Sequence, residues 1–155
     1  MAHIHEKIDY AAMAYIVFED RVLLIHHREL DMWLPVGGHV ELDEDPQKAL
    51  FREIEEESGL KQQDIEILAE RPGIKVADRR FLYTPAYLDI HPITEEHEHV
   101  GFIYFARTKN KEVILNEAEH HEIKWFSAED LENGKYNVAE GVKFYSRKAL
   151  ERAAI

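Results

Sequence analysis

Four glutamates and an arginine lie within six residues, in the run Arg52-Glu53-Ile54-Glu55-Glu56-Glu57. Carboxylates on adjacent helical turns repel one another, so the run is costly unless water or a cation compensates it. At about 100° per residue, Glu53, Glu56 and Glu57 share one helical face with small Ala49. Hard oxygen donors spaced i, i+3 and i+4 suit Mg²⁺ or Mn²⁺. Arg52 stands one turn before Glu56 and is placed to hold that carboxylate in a fixed orientation. Glu55 points away from this face. A solvated acidic helix is the bland alternative for any charge run.

The helix carrying these groups has readable ends. Asp45 followed by Pro46 reads as an N-cap with proline at the first helical position. Gly59 reads as a left-handed stop. Leu50, Phe51 and Ile54 fall on another side, where they can pack on a sheet. Residues 11–18 and 22–27 read as strands joined at Glu19-Asp20. Residues 36–41 form a short strand entering the helix, and residues 65–69 another strand. Residues 85–91 and 99–106 look like an antiparallel pair around the acidic loop 92–98. Residues 122–126 are a last strand, Ser127 a helix-opening cap, and residues 138–152 a C-terminal helix. A mixed sheet with helices on both faces follows.

The segment 38–60, GHVELDEDPQKALFREIEEESGL, resembles the Nudix box. Gly38, Glu44, Arg52, Glu53, Ile54, Glu56, Glu57, Gly59 and Leu60 match each fixed position of G-x5-E-x7-R-E-U-x-E-E-x-G-U, where U is apolar. The box covers about a seventh of the chain, and Trp33-Leu34-Pro35 and residues 122–126 are also similar to the family. The resemblance implies an α/β fold, the Nudix-type α/β/α sandwich with a mixed β-sheet between helices, as a single domain over residues 1–155. It implies a hydrolase cleaving a phosphoric anhydride bond in a nucleoside diphosphate linked to another moiety. Carried over residue by residue, Glu53, Glu56, Glu57 and the carbonyl of Gly37 would hold Mg²⁺ or Mn²⁺. Glu56 or Glu57 would be the base, and Glu44 an ion-pair partner of structural character. Many such enzymes take a further ligand or base from a loop outside the box. Glu98 is the expected source, with Glu117, Glu119 and Glu122 as the rival stretch. A Nudix domain that binds a nucleotide or protein ligand without turnover is the competing class, and its usual mark, an eroded box, is absent.

Composition narrows the partners. The net charge of −12 argues against a general nucleic-acid or anionic-membrane surface, because phosphate contacts need basic clusters. A small phosphorylated, nucleotide-type substrate still fits if metal ions screen the carboxylates. No apolar run approaches the ~20 residues of a membrane span, and residues 1–10 show no apolar core of a secretory signal. The absence of cysteine rules out disulfides and fits a cytoplasmic protein, monomer or homodimer. Arg28, at a strand end, is a candidate fork for a phosphate. His97-x-His99 places two rings on one strand face, open to a metal; His97 reads as exposed or substrate-facing. Trp33 reads as core, and Phe81, Tyr83 and Tyr87 as stacking candidates with core packing as the default. The spacing of Pro72 and Pro85 from Gly59 does not match the accessory proline of ADP-ribose enzymes, so the nucleotide is left open.

Overall fold

The computed structural model describes residues 6–155; the part of the signal-peptide reading that rests on residues 1–5 lies outside them. β1 (Ile8–Phe18), β2 (Arg21–His27), β3 (Met32–Leu34), β4 (Val36–His39), β5 (Ile65–Ile67), β6 (Tyr87–Thr94), β7 (His97–Thr108) and β8 (His120–Phe126) form one mixed eight-stranded sheet. β1 and β7 pair in parallel along ten positions, Ile8 with Glu98 through Val17 with Arg107. β2 and β4 pair antiparallel to β1 on its other side.

Alternation along these strands divides the core in two. Ala12, Ala14 and Ile16 of β1, with Tyr104 and Ala106 of β7, pack against Ala49, Leu50 and Ile54 of α1 (Pro46–Ser58). The intervening Tyr15, Val17, Ile103 and Phe105 face the other way. They meet Leu131 of α2 (Ala128–Glu132) and Ala149 of α3 (Glu140–Ala153). This period of two is what a sheet covered on both faces demands. The result is the α/β/α sandwich that the sequence implied. Burial of Leu50 and Ile54, both fully covered, contributes about 1.5–3 kcal/mol each.

The ends of α1 are set locally. The Asp45 side chain accepts from the Lys48 amide at 2.8 Å, and Pro46 stands at the first helical position. Gly59 adopts φ 75° and its N–H returns to the Glu55 carbonyl, a left-handed stop that a Cβ would strain.

One reading changes, one strand goes unread, and the reading of Trp33 holds. The acidic segment 92–98 is mostly strand: β6 and β7 stay paired to Thr94 and His97, leaving only Glu95 and Glu96 at the turn. Charged side chains on an exposed edge leave the backbone ladder intact, so acidity alone did not mark a loop. β3 is too short for any periodicity to announce it. Trp33, carried on it, is core: it is buried and stacks edge-on against Phe126 and Tyr136.

The cap gives a test. Burial raises the Asp45 carboxyl, but the Lys48 amide and the Arg80 guanidinium outweigh it and hold the group below its ordinary value. A depressed folded-state pKa contributes stability that is complete above the unfolded value near ~3.9 and is lost as pH falls through the folded one. Asp45→Ala should therefore cost about 1 kcal/mol at neutral pH. The gap between the urea midpoints of the two proteins should close as pH falls through the lowered folded-state pKa, and a gap undiminished in acid would contradict an ionised cap.

Candidate active site

The geometry of the loop entering α1 begins with close approach. A Cβ on Gly38 would run into the Glu53 carboxylate, and one on Gly37 would meet the backbone of Ala12 and Met13. Only glycines let β4 lie this near both the helix and β1.

Arg52 organises the acids. Its Nε donates to Glu44 Oε1 at 2.7 Å, and its Nη2 donates to Glu44 Oε2 at 3.3 Å and to the His39 carbonyl at 3.1 Å. Its Nη1 donates to Glu53 at 2.8 Å and to Glu56 at 3.1 Å. Those bonds use all five guanidinium N–H groups, a number no lysine can supply. They raise the guanidinium further, Glu44 contributing most. Glu44, nearly buried, serves this ion pair.

Glu57 is held separately. It is buried, with Oε1 accepting from the Gly37 amide at 2.7 Å and Oε2 2.5 Å from Nε2 of His120. His120 is buried too, and its Nδ1 has no hydrogen-bond partner. Glu119, exposed, completes the group: one ligand atom each from Glu57, Glu119 and His120 lies within 4.8 Å of the others. The structure thus gathers Glu44, Glu53 and Glu56 around Arg52, and Glu57 with Glu119 and His120. Glu55 turns away to Lys61.

The charge balance is unequal. Burial, then the neighbouring Glu57 and Glu56, push the Glu53 carboxyl up to about 7 against the pull of Arg52. One guanidinium does not neutralise this many carboxylates. An all-oxygen set short of positive charge fits a hard divalent cation.

The remaining candidates sit elsewhere. Arg28 Nη2 is engaged by the carbonyls of Glu117 at 2.7 Å and His120 at 3.3 Å, so it frames the loop that carries Glu119. Glu98 opens β7 with its amide on the Lys7 carbonyl. His97 lies 3.0 Å from Asp9.

Sequence reasoning missed two features. One is His120, whose inward turn follows from a bulge: β8 pairs Glu122 with His26 and His120 with His27, skipping His121. The other is a cavity of about 1000 Å³ lined by Arg71, Lys75, Arg79, Arg80, Phe81 and Tyr83. Four basic residues within ten positions of an acidic chain were its available signal. The cavity touches the N-terminal end of α1, through Arg80 on Asp45 at 2.9 Å and the Tyr83 amide on Gln47 at 3.1 Å. Arg71 stacks over Tyr83 at 4.2 Å.

Comparison with known proteins follows the same lines. A family model described as the NUDIX domain matches residues 7–148. A crystal structure of a NUDIX-family hydrolase from Clostridium perfringens is similar with TM-score 0.76 and 28% identity, over 92% of this chain and 96% of that one. A MutT NUDIX hydrolase from Burkholderia pseudomallei gives TM-score 0.65 and 25% identity, over 95% and 98%. An RNA pyrophosphohydrolase from Methylococcus capsulatus is 40% identical over 55 residues, which span 36% of this chain and 29% of that protein. Among the described residues no helix is long and apolar enough to cross a membrane.

The buried Glu57–His120 contact predicts an asymmetry. His120→Ala leaves a buried carboxylate without its partner and should cost about 3 kcal/mol or more in urea unfolding. Glu55→Gln, on the exposed side, should stay within about 0.5 kcal/mol.

Proposed function

This chain belongs to the Nudix family, and from that premise we propose that it is a metal-dependent pyrophosphohydrolase. Its reaction is attack of water at phosphorus in a phosphoric anhydride of a nucleoside diphosphate linked to another moiety. The observation that carries the reading is the intact box with its carboxylates sorted into two oriented sets, one on Arg52 and one on Gly37 and His120. The likeness to a hydrolase of this family at 28% identity supports it, as does the short match to a pyrophosphohydrolase. The reading takes residues 1–155 as one domain.

Glu53, Glu56, Glu57 and the carbonyl of Gly37 are the groups assigned to Mg²⁺ or Mn²⁺. When bound, such an ion neutralises anhydride oxygens and lowers the pKa of a water. The protein's own residues do the rest. Arg52 fixes the direction of Glu53 and Glu56, and the Gly37 amide and His120 fix Glu57. Both Glu57 oxygens are engaged, so Glu57 orients rather than accepts a proton. Glu119, beside it and open to solvent, takes the proton of the attacking water on its carboxylate oxygen and can release it to bulk. The leaving phosphate departs toward solvent. Arg71, Lys75, Arg79 and Arg80 supply the positive surface for the remaining phosphate, and Phe81 and Tyr83 a face for a base.

Turnover should stop with chelator and return with Mg²⁺ or Mn²⁺, followed as release of phosphate or nucleoside monophosphate from a nucleotide panel. In that assay Glu56→Gln should lower kcat by about 10²–10⁴ and Glu55→Gln should be close to neutral. Equal losses at both positions would mean that bulk negative charge, not geometry, sustains the reaction.

The base assignment has its own comparison. Glu119→Gln should cut kcat about tenfold or more with KM little changed. Glu98→Gln, at the start of β7, should leave kcat close to that of the parent. The reverse pattern would return the role to Glu98.

A further inference from the structure

The sheet face opposite α1 carries a second cluster that the hydrolytic reading leaves unused. Asp9 of β1 is paired with His99 of β7, and Ala11 of β1 with His39 of β4. Paired residues share a face. Asp9 and Ala11 alternate with Ala12 and Ala14, which lie against α1. His97 has the parity of His99. All four polar side chains therefore project on the side away from the box carboxylates.

They converge there. Nε2 of His39 lies 3.0 Å from Nε2 of His99, and Asp9 Oδ2 lies 3.0 Å from Nε2 of His97 and 3.6 Å from Nε2 of His39. One ligand atom from each of the four falls within 4.8 Å of all the others. The ligand edges of a tetrahedron with metal–nitrogen bonds of ~2.0–2.1 Å are about 3.3 Å, so three of the measured separations already bracket that value.

The chemistry of the donors is specific. Two neutral imidazoles facing each other through Nε2 at 3.0 Å share one proton in an N–H···N hydrogen bond, and a cation bound by both rings would replace that proton. A cation placed between them satisfies both, together with His97 and the Asp9 carboxylate. Three imidazoles and one carboxylate suit a borderline cation and are a poor cage for Mg²⁺, which keeps oxygen ligands. Outside the four, His91 sits beside His99 with its Nδ1 on Asp89 at 2.9 Å, and Asp89 accepts from the Tyr145 hydroxyl at 2.5 Å.

We propose that Asp9, His39, His97 and His99 form a structural binding site for one Zn²⁺-class cation, separate from the box carboxylates. It pins β4 to β1 and β7 immediately after Gly37 and Gly38. His39 links the two faces, since its carbonyl accepts from Arg52 while its ring enters the cluster.

The test uses untagged full-length protein carrying Glu53→Gln and Glu56→Gln, which weakens the box as a competing metal site. Titration with Co²⁺ should develop the visible absorption of tetrahedral cobalt and saturate near about one equivalent. Zn²⁺ should displace it and raise the unfolding temperature, whereas Mg²⁺ should do neither. Adding His97→Asn and His99→Asn should abolish both the absorption and the Zn²⁺ shift. Asp9→Asn, a milder exposed change, should weaken Co²⁺ binding by tenfold or more. Absorption and thermal shift unchanged in the histidine variant would overturn the site, as would their absence in the parent.

Discussion

A single guanidinium holds the catalytic helix, the glycine loop and the strand end in one arrangement. Arg52 spends each of its five N–H groups, two on Glu44, one each on Glu53 and Glu56, and one on the His39 carbonyl. The acceptors lie on three parts of the chain: the loop before α1, the helix itself, and the end of β4. The fixed spacing between Glu44 and Arg52 exists because the bidentate pair must close across the helix N-terminus. The arrangement leaves an excess of negative charge, visible in the raised Glu53 carboxyl. That excess suits a divalent cation, and it arises from packing rather than from sequence acidity alone.

The sheet then acts as a partition. Its alternation sends Ala12, Ala14 and Gly38 toward α1 and Asp9, His39 and His99 to the other side. Oxygen-rich and nitrogen-rich donor sets therefore face opposite layers, although Gly38 and His39 are adjacent in the chain. Two metal preferences can coexist in so small a molecule only because strand parity separates the donors. His39 belongs to both layers, through its carbonyl on one side and its ring on the other, so order imposed on one face constrains the other.

What the sequence made legible follows from period and spacing. The box helix, its Asp45 cap and its Gly59 stop are local, and a local pattern determines them. The alternation of β1 and β7 carries the two-layer core in the same way. His120 is different. Its position against Glu57, 63 residues away, depends on a bulge between β2 and β8 that no periodicity encodes. The cluster on Asp9 depends on the parallel register of β1 with β7, a pairing of segments about ninety positions apart. His97 and His99 were readable as a pair, but Asp9 and His39 became partners only when that register was known. The segment 69–83 has no regular element, so its basic residues carried a charge signal without a shape.

That segment resolves the apparent conflict between a chain of net charge −12 and a polyanionic substrate. Screening limits exposed charges to about 8–10 Å, so a ligand responds to the local surface rather than to the total. Arg71, Lys75, Arg79 and Arg80 concentrate positive charge in one cavity, next to aromatic faces. Arg80 ties the cavity to the helix N-cap at Asp45, and the acids follow at Glu53, Glu56 and Glu57. At ~1.5 Å per residue the helix separates Asp45 from these glutamates by about 12–18 Å along its axis. A substrate with one end in the basic cavity must therefore be extended to bring an anhydride to the carboxylates. A bare phosphate does not span that interval. On the proposed reading, that interval suits ligands in which a phosphate chain, or a second moiety beyond it, bridges the two, with the basic end fixing orientation and the acidic end holding the cation.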